Sequence, residues 1–267
     1  MRHLIIFSAL ALSSSAFAVQ FLATDGTKLF RANDTGTVQS PITLSAAIQS
    51  LTQLPTGYSL AGANPGDIIA LGTTAVSSRY KMYRVDNPFG AATLVEIGSL
   101  NHGIGSLVFA NGKMWGIEDS LAPLRIYDIN MVTGDSTTTY TTTINVAGGG
   151  GLAFNSANGL FYFTDATNHR LYSWAPGGSA TLVGPTGFAF SNNGIEFYNG
   201  TLYGAARSDT SSTTMRFGRF DITTGAFTTL ATATGITGGG TGFVAVPEPG
   251  TVAGLLGSLL VLRRRRR

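Results

Sequence analysis

Seven side chains are candidates for oxygen ligands to a hard cation held at one central point: Glu118, Asp119, Asn155, Asp165, Asn193, Glu196 and Asp209. Calcium takes about six to eight oxygens, so a site needs several donors converging from separate elements. Glu196 is the best placed. It lies between Ile195 and Phe197, so on a strand its side chain leaves from the face opposite to theirs. The matching positions in two other repeats are Val108 and Ala153, which bring no ligand atom. A solvated carboxylate at a channel mouth is the simpler reading, and no metal or cofactor is expected. A Ser-His-Asp site needs a histidine held by a buried carboxylate. His102 and His169 lie in turn-like sequence with no such partner in sight, and both read as exposed turn residues.

Two other stretches suggest chemistry and then withdraw it. The glycine run "GGGGLA" (148–153) matches a dinucleotide fingerprint, but it leads into the strand-like "LAF", not a helix. The fingerprint needs a helix N-terminus under the pyrophosphate. "STTTYTTT" (136–143) would set four threonines on one face of a strand, as an ice-binding array does. Other repeats do not share it, so it reads as a solvent-facing outer strand. The sequence has no Walker loop, no His-Glu-x-x-His and no Gly-x-Ser-x-Gly.

These residues must be positioned by a repeating framework. "GSLVFANGKMWGI" (105–117) is echoed by "GGLAFNSANGLFYF" (150–163) and "NGIEFYNGTLYG" (193–204). Phe109, Phe154 and Phe197 are 45 and 43 residues apart. A second column, Val85, Tyr127, Trp174 and Phe220, is spaced by 42, 47 and 46. "AATLV", "SATLV" and "AFTTL" make a third. Asn-Gly and Thr-Gly pairs at Asn111, Asn199 and Thr224 mark tight turns between short strands. Four strands per period near 45 is the pattern of a β-propeller blade. The reading is an all-β propeller of about five four-stranded blades, with Phe109, Phe154 and Phe197 buried between blades.

The N-terminal strands "VQFLAT", "KLFRAN" and "TVQSPITL" lack a first strand, and "GGTGFVAV" (239–246) supplies one from the other end. Phe243 is placed there with the first-strand phenylalanines. Full units are expected near 55–100, 101–146, 147–190 and 191–235. Residues 46–54, "AAIQSLTQL", read as a helical turn between blades.

The charge balance argues against nucleic acid. Six of the 17 basic residues are Arg2 and the terminal arginines, leaving 11 against 14 acidic residues over 19–262. No basic patch marks the folded body. The chain has no cysteine, so stability must come from an ordinary core.

Both ends read as addresses. Arg2 and His3, the apolar run 4–12 and the small-x-small pattern at Ala16 and Ala18 form a secretory signal over 1–18. Residues 19–246 are the propeller-like domain, and 247–267 are a separate tail. There Pro247, Glu248 and Pro249 precede twelve uncharged residues and then Arg263, Arg264, Arg265, Arg266 and Arg267. As a helix that run would be about 18 Å long, against roughly 30 Å for a hydrocarbon core. The arginines would act as a cytoplasmic stop.

This tripartite tail resembles the PEP-CTERM sorting signal of Gram-negative bacteria, also called the ice-binding-protein C-terminal domain. The resemblance implies that Pro247, Glu248 and Pro249 are recognised by an exosortase. It also implies transient contact with the inner membrane through a hydrophobic transmembrane helix. The destination would be the cell envelope or the extracellular space, often alongside exopolysaccharide. The expected protein is a non-catalytic surface or matrix component that binds glycan or another surface protein through a propeller face. The alternative is a secreted metal-dependent lactonase of the gluconolactonase type, which the repeat also resembles. That activity would need a Glu, an Asn and an Asp together in the channel.

Cleavage of the signal after Ala18 is testable. Intact-mass spectrometry of exported protein should show Val19 at the N-terminus, and a retained Met1 would refute it.

Overall fold

Among the described residues twenty short strands fall into five four-stranded sheets, and each sheet is a propeller blade. The structure is a computed structural model. It describes residues 19–247 except 59, 77–78, 119–121, 146–148, 191, 208–211 and 238–241, and at 74, 149, 192, 193 and 247 it describes the backbone only. The expected signal segment 1–18 and the tail from Glu248 to Arg267 lie outside the described residues. Among the described residues no helix is long and apolar enough to cross a membrane.

The propeller is the unit Val19–Val246. Blade 1 holds β1 (Val19–Thr24), β2 (Lys28–Asn33) and β3 (Val38–Thr43), and its fourth strand is β20 (Phe243–Pro247), in the order β20-β1-β2-β3. Blade 2 is β4 (Ile48–Gln53), β5 (Ile68–Val76), β6 (Arg79–Asp86) and β7 (Thr93–Leu100). Blade 3 is β8 (Ser106–Ala110), β9 (Lys113–Ile117), β10 (Arg125–Ile129) and β11 (Ser136–Thr141). Blade 4 is β12 (Gly149–Asn155), β13 (Leu160–Asp165), β14 (Arg170–Trp174) and β15 (Thr181–Pro185). Blade 5 is β16 (Asn192–Tyr198), β17 (Thr201–Arg207), β18 (Thr214–Phe220) and β19 (Phe227–Thr234).

Local chemistry makes the hairpins. Asn111 and Gly112 both have positive φ, 52° and 81°, as do Asn199 and Gly200 at 48° and 77°. Two consecutive left-handed residues form the type I′ turn whose twist matches the strands it joins. Alternation then sorts the faces. The threonine-rich β11 is an exposed outer strand, as its composition suggested.

The core is divided into five apolar clusters, one at each blade interface. The cluster that closes the ring joins Phe217 and Met215 of blade 5 to Phe21, Phe30 and Phe243 of blade 1. Phe21 packs with Phe243 at 5.7 Å and with Phe217 at 6.1 Å between ring centroids. Polar bonds reinforce the same seam. The amide of Thr24 donates to Gly242 O at 3.0 Å. The fully buried Asp25 accepts from Thr237 N at 2.8 Å and from Lys28 N at 2.9 Å.

Three expectations need correction. Residues 46–54 are not a helical turn, because Ile48–Gln53 forms β4, the inner strand of blade 2. Ile48, Leu51 and Leu54 are spaced by three and fully buried, which imitates a helical stripe. A register shift between Ile48 and Ser50 breaks the strand alternation that would have exposed it. Blade 2 therefore begins at 48, not 55. Phe243 is buried, but it does not sit level with Phe109, Phe154 and Phe197. A Cβ on Gly151 would lie 2.5 Å from Ile195 N, and one on Gly242 would lie 2.7 Å from Ser50 C. These equivalent approaches align Gly242 with Gly151, and hence Phe243 with Leu152.

Phe243→Ala should cost about 3–5 kcal/mol by opening a cavity at the seam, while Val132→Ala, at a 94% exposed site, should cost under about 0.5 kcal/mol. A chain ending at residue 238 should melt well below one ending at 246. Equal melting temperatures would show that β20 does not close the ring.

Candidate functional site

The inner strands β4, β8, β12, β16 and β20 surround a cavity of about 180 Å³ at the ring's centre. An apolar cavity of about 150 Å³ holds a benzene ring. The space therefore admits one small group, such as the end of a larger ligand.

Aligning the inner strands on the glycine approaches gives the cavity its order. Gln53, Phe109, Phe154, Phe197 and Ala245 occupy one level, contributed by five successive strands, and all five line the cavity. Thr52, Val108 and Glu196 line it from the neighbouring level, with Pro55 and Tyr198 at the edge. The three phenylalanines are half-buried, not sealed between blades as expected. Each rests on an aromatic neighbour. Phe154 packs against Phe161 at 4.9 Å, Phe197 against Tyr162 at 5.2 Å and Phe109 against Tyr58 at 6.5 Å. The residues between blades are instead two positions back: Leu107, Leu152, Ile195, Phe243 and Leu51 are all buried.

Glu196 is the cavity's carboxylate. Its Oε2 accepts the amide of Ala245 at 2.6 Å, so the side chain reaches from blade 5 to the closing strand β20. The residue is half-buried and lines the cavity. Burial pushes its carboxyl up to about 8, and the Ala245 hydrogen bond opposes this only in part. Near neutral pH the protonated form is favoured, and its carbonyl oxygen can still accept the Ala245 amide.

The other candidate ligands do not join it. Glu118 accepts the Tyr127 hydroxyl at the rim of blade 3. Burial, and secondarily this bond, pushes the Tyr127 phenol up to about 12. Asn155 folds back on its own turn, accepting Ala157 N at 3.0 Å. Asp165 is fully buried and caps the β13–β14 turn through Thr167 N and Asn168 N at 2.8 and 3.1 Å. Asp119, Asp209 and the side chain of Asn193 lie outside the described residues. Among the described residues no three His, Cys, Asp or Glu side chains are grouped to hold a metal. The Glu-Asn-Asp set that a lactonase would need is not brought together there.

Both histidines are more embedded than the sequence suggested. His102 stacks on Tyr127 at 4.1 Å and 15°, with Nε2 3.1 Å from Ser136 Oγ. His169 has a positive φ of 56°, and its Nδ1 accepts Phe190 N at 3.2 Å. Each pins a loop of its blade. Thr52 and Gln53 are the cavity residues that sequence reasoning missed. "SLTQ" aligns with "GIEF" once residues 48–53 are recognised as an inner strand.

Residues 16–175 match the family described as a repeat of unknown function, DUF6923. The chain belongs to this family. No curated protein matches it. Among solved structures it is similar to a luciferin-regenerating enzyme, at 13% identity over 80% of this chain and 72% of that one, with a TM-score of 0.45. It is also similar to virginiamycin B lyase from Staphylococcus aureus, at 14% identity over 73% and 60%, with a TM-score of 0.38. A third is a protein of unknown function from Bacteroides thetaiotaomicron, at 11% identity over 79% and 50%, with a TM-score of 0.45. The chain spans less than two thirds of the last two. Two of the three are named as enzymes, which overturns the expectation that this chain is not one: the exclusion has no support. At such identities and TM-scores the likeness concerns shape and assigns no reaction to this chain.

The raised carboxyl of Glu196 has a sign that can be checked. Its ordinary value is 4.5 and its folded value about 8, so unfolding releases a proton between these limits and stability falls as pH rises through them. In Glu196→Gln this component is absent. The melting temperature of the natural protein relative to Glu196→Gln should decline steadily from pH 4.5 to 8. A constant difference would show that Glu196 ionises freely.

Proposed function

We propose that this chain is an exported propeller of the bacterial envelope or extracellular matrix. In this reading it binds glycan or a surface protein through the face that carries the central cavity. The observation that carries the proposal is the cavity itself: three half-buried phenylalanines from consecutive blades stand beside Gln53, Thr52 and Glu196. Apolar rings next to a few polar groups suit a ligand that stacks and hydrogen-bonds at once.

The tail supports the address. Strand β20 ends on Pro247, the first residue of the Pro247-Glu248-Pro249 motif. The apolar run and Arg263–Arg267 complete a signal suited to an exosortase at the inner membrane of a Gram-negative cell. The signal segment before Val19 would start that route. In this arrangement the ring is the cargo and the two ends are its routing. A short hydrophobic helix in the tail would hold the protein at the membrane while it is sorted.

The test compares the full chain with one ending at Val246 in an exopolysaccharide-producing host. The shortened chain should pass into the medium, and retention in the envelope would refute the sorting role. Both chains should co-sediment with purified exopolysaccharide or a surface-protein fraction. Phe154→Leu or Phe197→Leu should weaken that binding by about threefold to tenfold. Binding that ignores both substitutions would place the ligand elsewhere.

A further inference from the structure

Among the described residues Glu196 is the one carboxylate lining the central cavity, and no lysine or arginine lines it. Its Oε2 is held by the Ala245 amide, and among the described residues no other hydrogen bond restrains the group. Around it stand Phe109, Phe154, Phe197 and Tyr198. An aromatic ring carries negative charge density on its face, so rings and carboxylate favour the same guest, a positive one.

The kind of cation follows from the walls. A hard metal ion needs about six to eight oxygens. Beyond Glu196 the lining side chains bring the amide of Gln53 and the hydroxyls of Thr52 and Tyr198, and the remainder are apolar. An alkylated ammonium spreads its charge over methyl or methylene groups, which apolar walls accept, and needs one counter-ion. A neutral sugar edge could hydrogen-bond Gln53, Thr52 and Glu196 but would bring no counter-charge to an ionised Glu196.

We propose that the cavity is a receptor for a small alkylammonium group, with Glu196 as counter-ion and the three phenylalanines as the surrounding cage. The inference rests on the reading that this face binds ligand, and it names the chemical group that enters the cavity. The group could be presented by a matrix glycan, a protein side chain or a free amine.

Charge linkage gives the proposal a second signature. A bound cation favours the ionised form of Glu196, so binding expels a proton wherever the empty site is protonated. The titratable neighbours are the phenols Tyr198, beside it on the cavity wall, and Tyr203, opposite it across β16 and β17. β4 contributes Thr52 and Gln53 to the cavity, and β8, β12 and β20 contribute uncharged side chains. The pH dependence therefore belongs to Glu196. Affinity should rise with pH, by up to about tenfold per unit, and level off above about 8.

The experiment is calorimetric titration of the full chain with choline and with its neutral isostere, in which carbon replaces nitrogen. Choline should bind about tenfold or more tightly than the isostere, with the stated pH dependence. Glu196→Gln keeps an acceptor for the Ala245 amide and should lose choline binding by a similar factor. Phe154→Leu keeps an apolar wall, removes a ring face and should weaken choline more than the isostere, which keeps the test open should Glu196→Gln fail to fold. Absence of choline binding, equal binding of the two probes, or undiminished binding by the variants would overturn the proposal. Ring-dependent co-sedimentation with exopolysaccharide alongside failure with choline would leave the face-binding reading standing and remove this one. Loss of both would remove both.

Discussion

Everything in the propeller depends on one pairing that joins its first and last strands, β20 lying beside β1. A propeller is a ring of sheets, and each sheet can bury its apolar faces only against its neighbours. Four blades come from continuous stretches of chain, while blade 1 takes its inner strand from residues some two hundred positions away. The loop-closure entropy of that contact is large but grows only slowly with length. It is offset by a buried aromatic cluster, Phe21, Phe217 and Phe243, and by Asp25, whose carboxylate ties the β1–β2 turn to Thr237. The same closure removes the free strand edge that an open arc would expose.

Glu196 belongs to this seam as well as to the cavity. Its bond to Ala245 spans blade 5 and the closing strand, so a single carboxyl group touches both the integrity of the ring and its interior. The raised carboxyl follows from that placement. The group is taken from water and receives one amide and no positive partner. A carboxylate in such surroundings is poorly solvated when empty, and that is the condition under which a complementary guest gains most. Other acidic groups do have a cationic partner. Asp135 is held below the usual carboxylate range by Arg79, which also reaches Ser99 and Thr133 and so fastens blade 2 to blade 3.

Much of this architecture was legible because its signals are local. Asn-Gly turns, the strand pairs they join and the phase of Phe109, Phe154 and Phe197 all lie within one blade's length. What failed was information carried between strands and between blades. Ile48, Leu51 and Leu54 look helical until β5 is known to pair with them. The depth of the three phenylalanines could not be read from alternation, because inner strands are covered on both faces. Ser50, Leu51 and Thr52 are buried in succession. The register of Phe243 depended on how closely Gly242 approaches blade 2, which spacing along the chain does not encode. His102 looked like a turn residue because its stacking partner, Tyr127, lies two strands away. Glu196 was recognisable as unusual from its strand position alone, but its Ala245 partner was not.

The level of the cavity that holds the phenylalanines has one further consequence. Five strands contribute to it, but only blades 3, 4 and 5 place a ring there, while blades 1 and 2 supply Ala245 and Gln53. The backbone is close to fivefold in its symmetry, and the lining is not. A guest in a truly symmetric throat would find five equivalent poses and gain nothing from choosing among them. Here one side is a curved aromatic wall and the other is small and polar, so an asymmetric guest meets a single preferred azimuth. Repetition builds the vessel, and the divergence of two blades from the other three gives it a bearing.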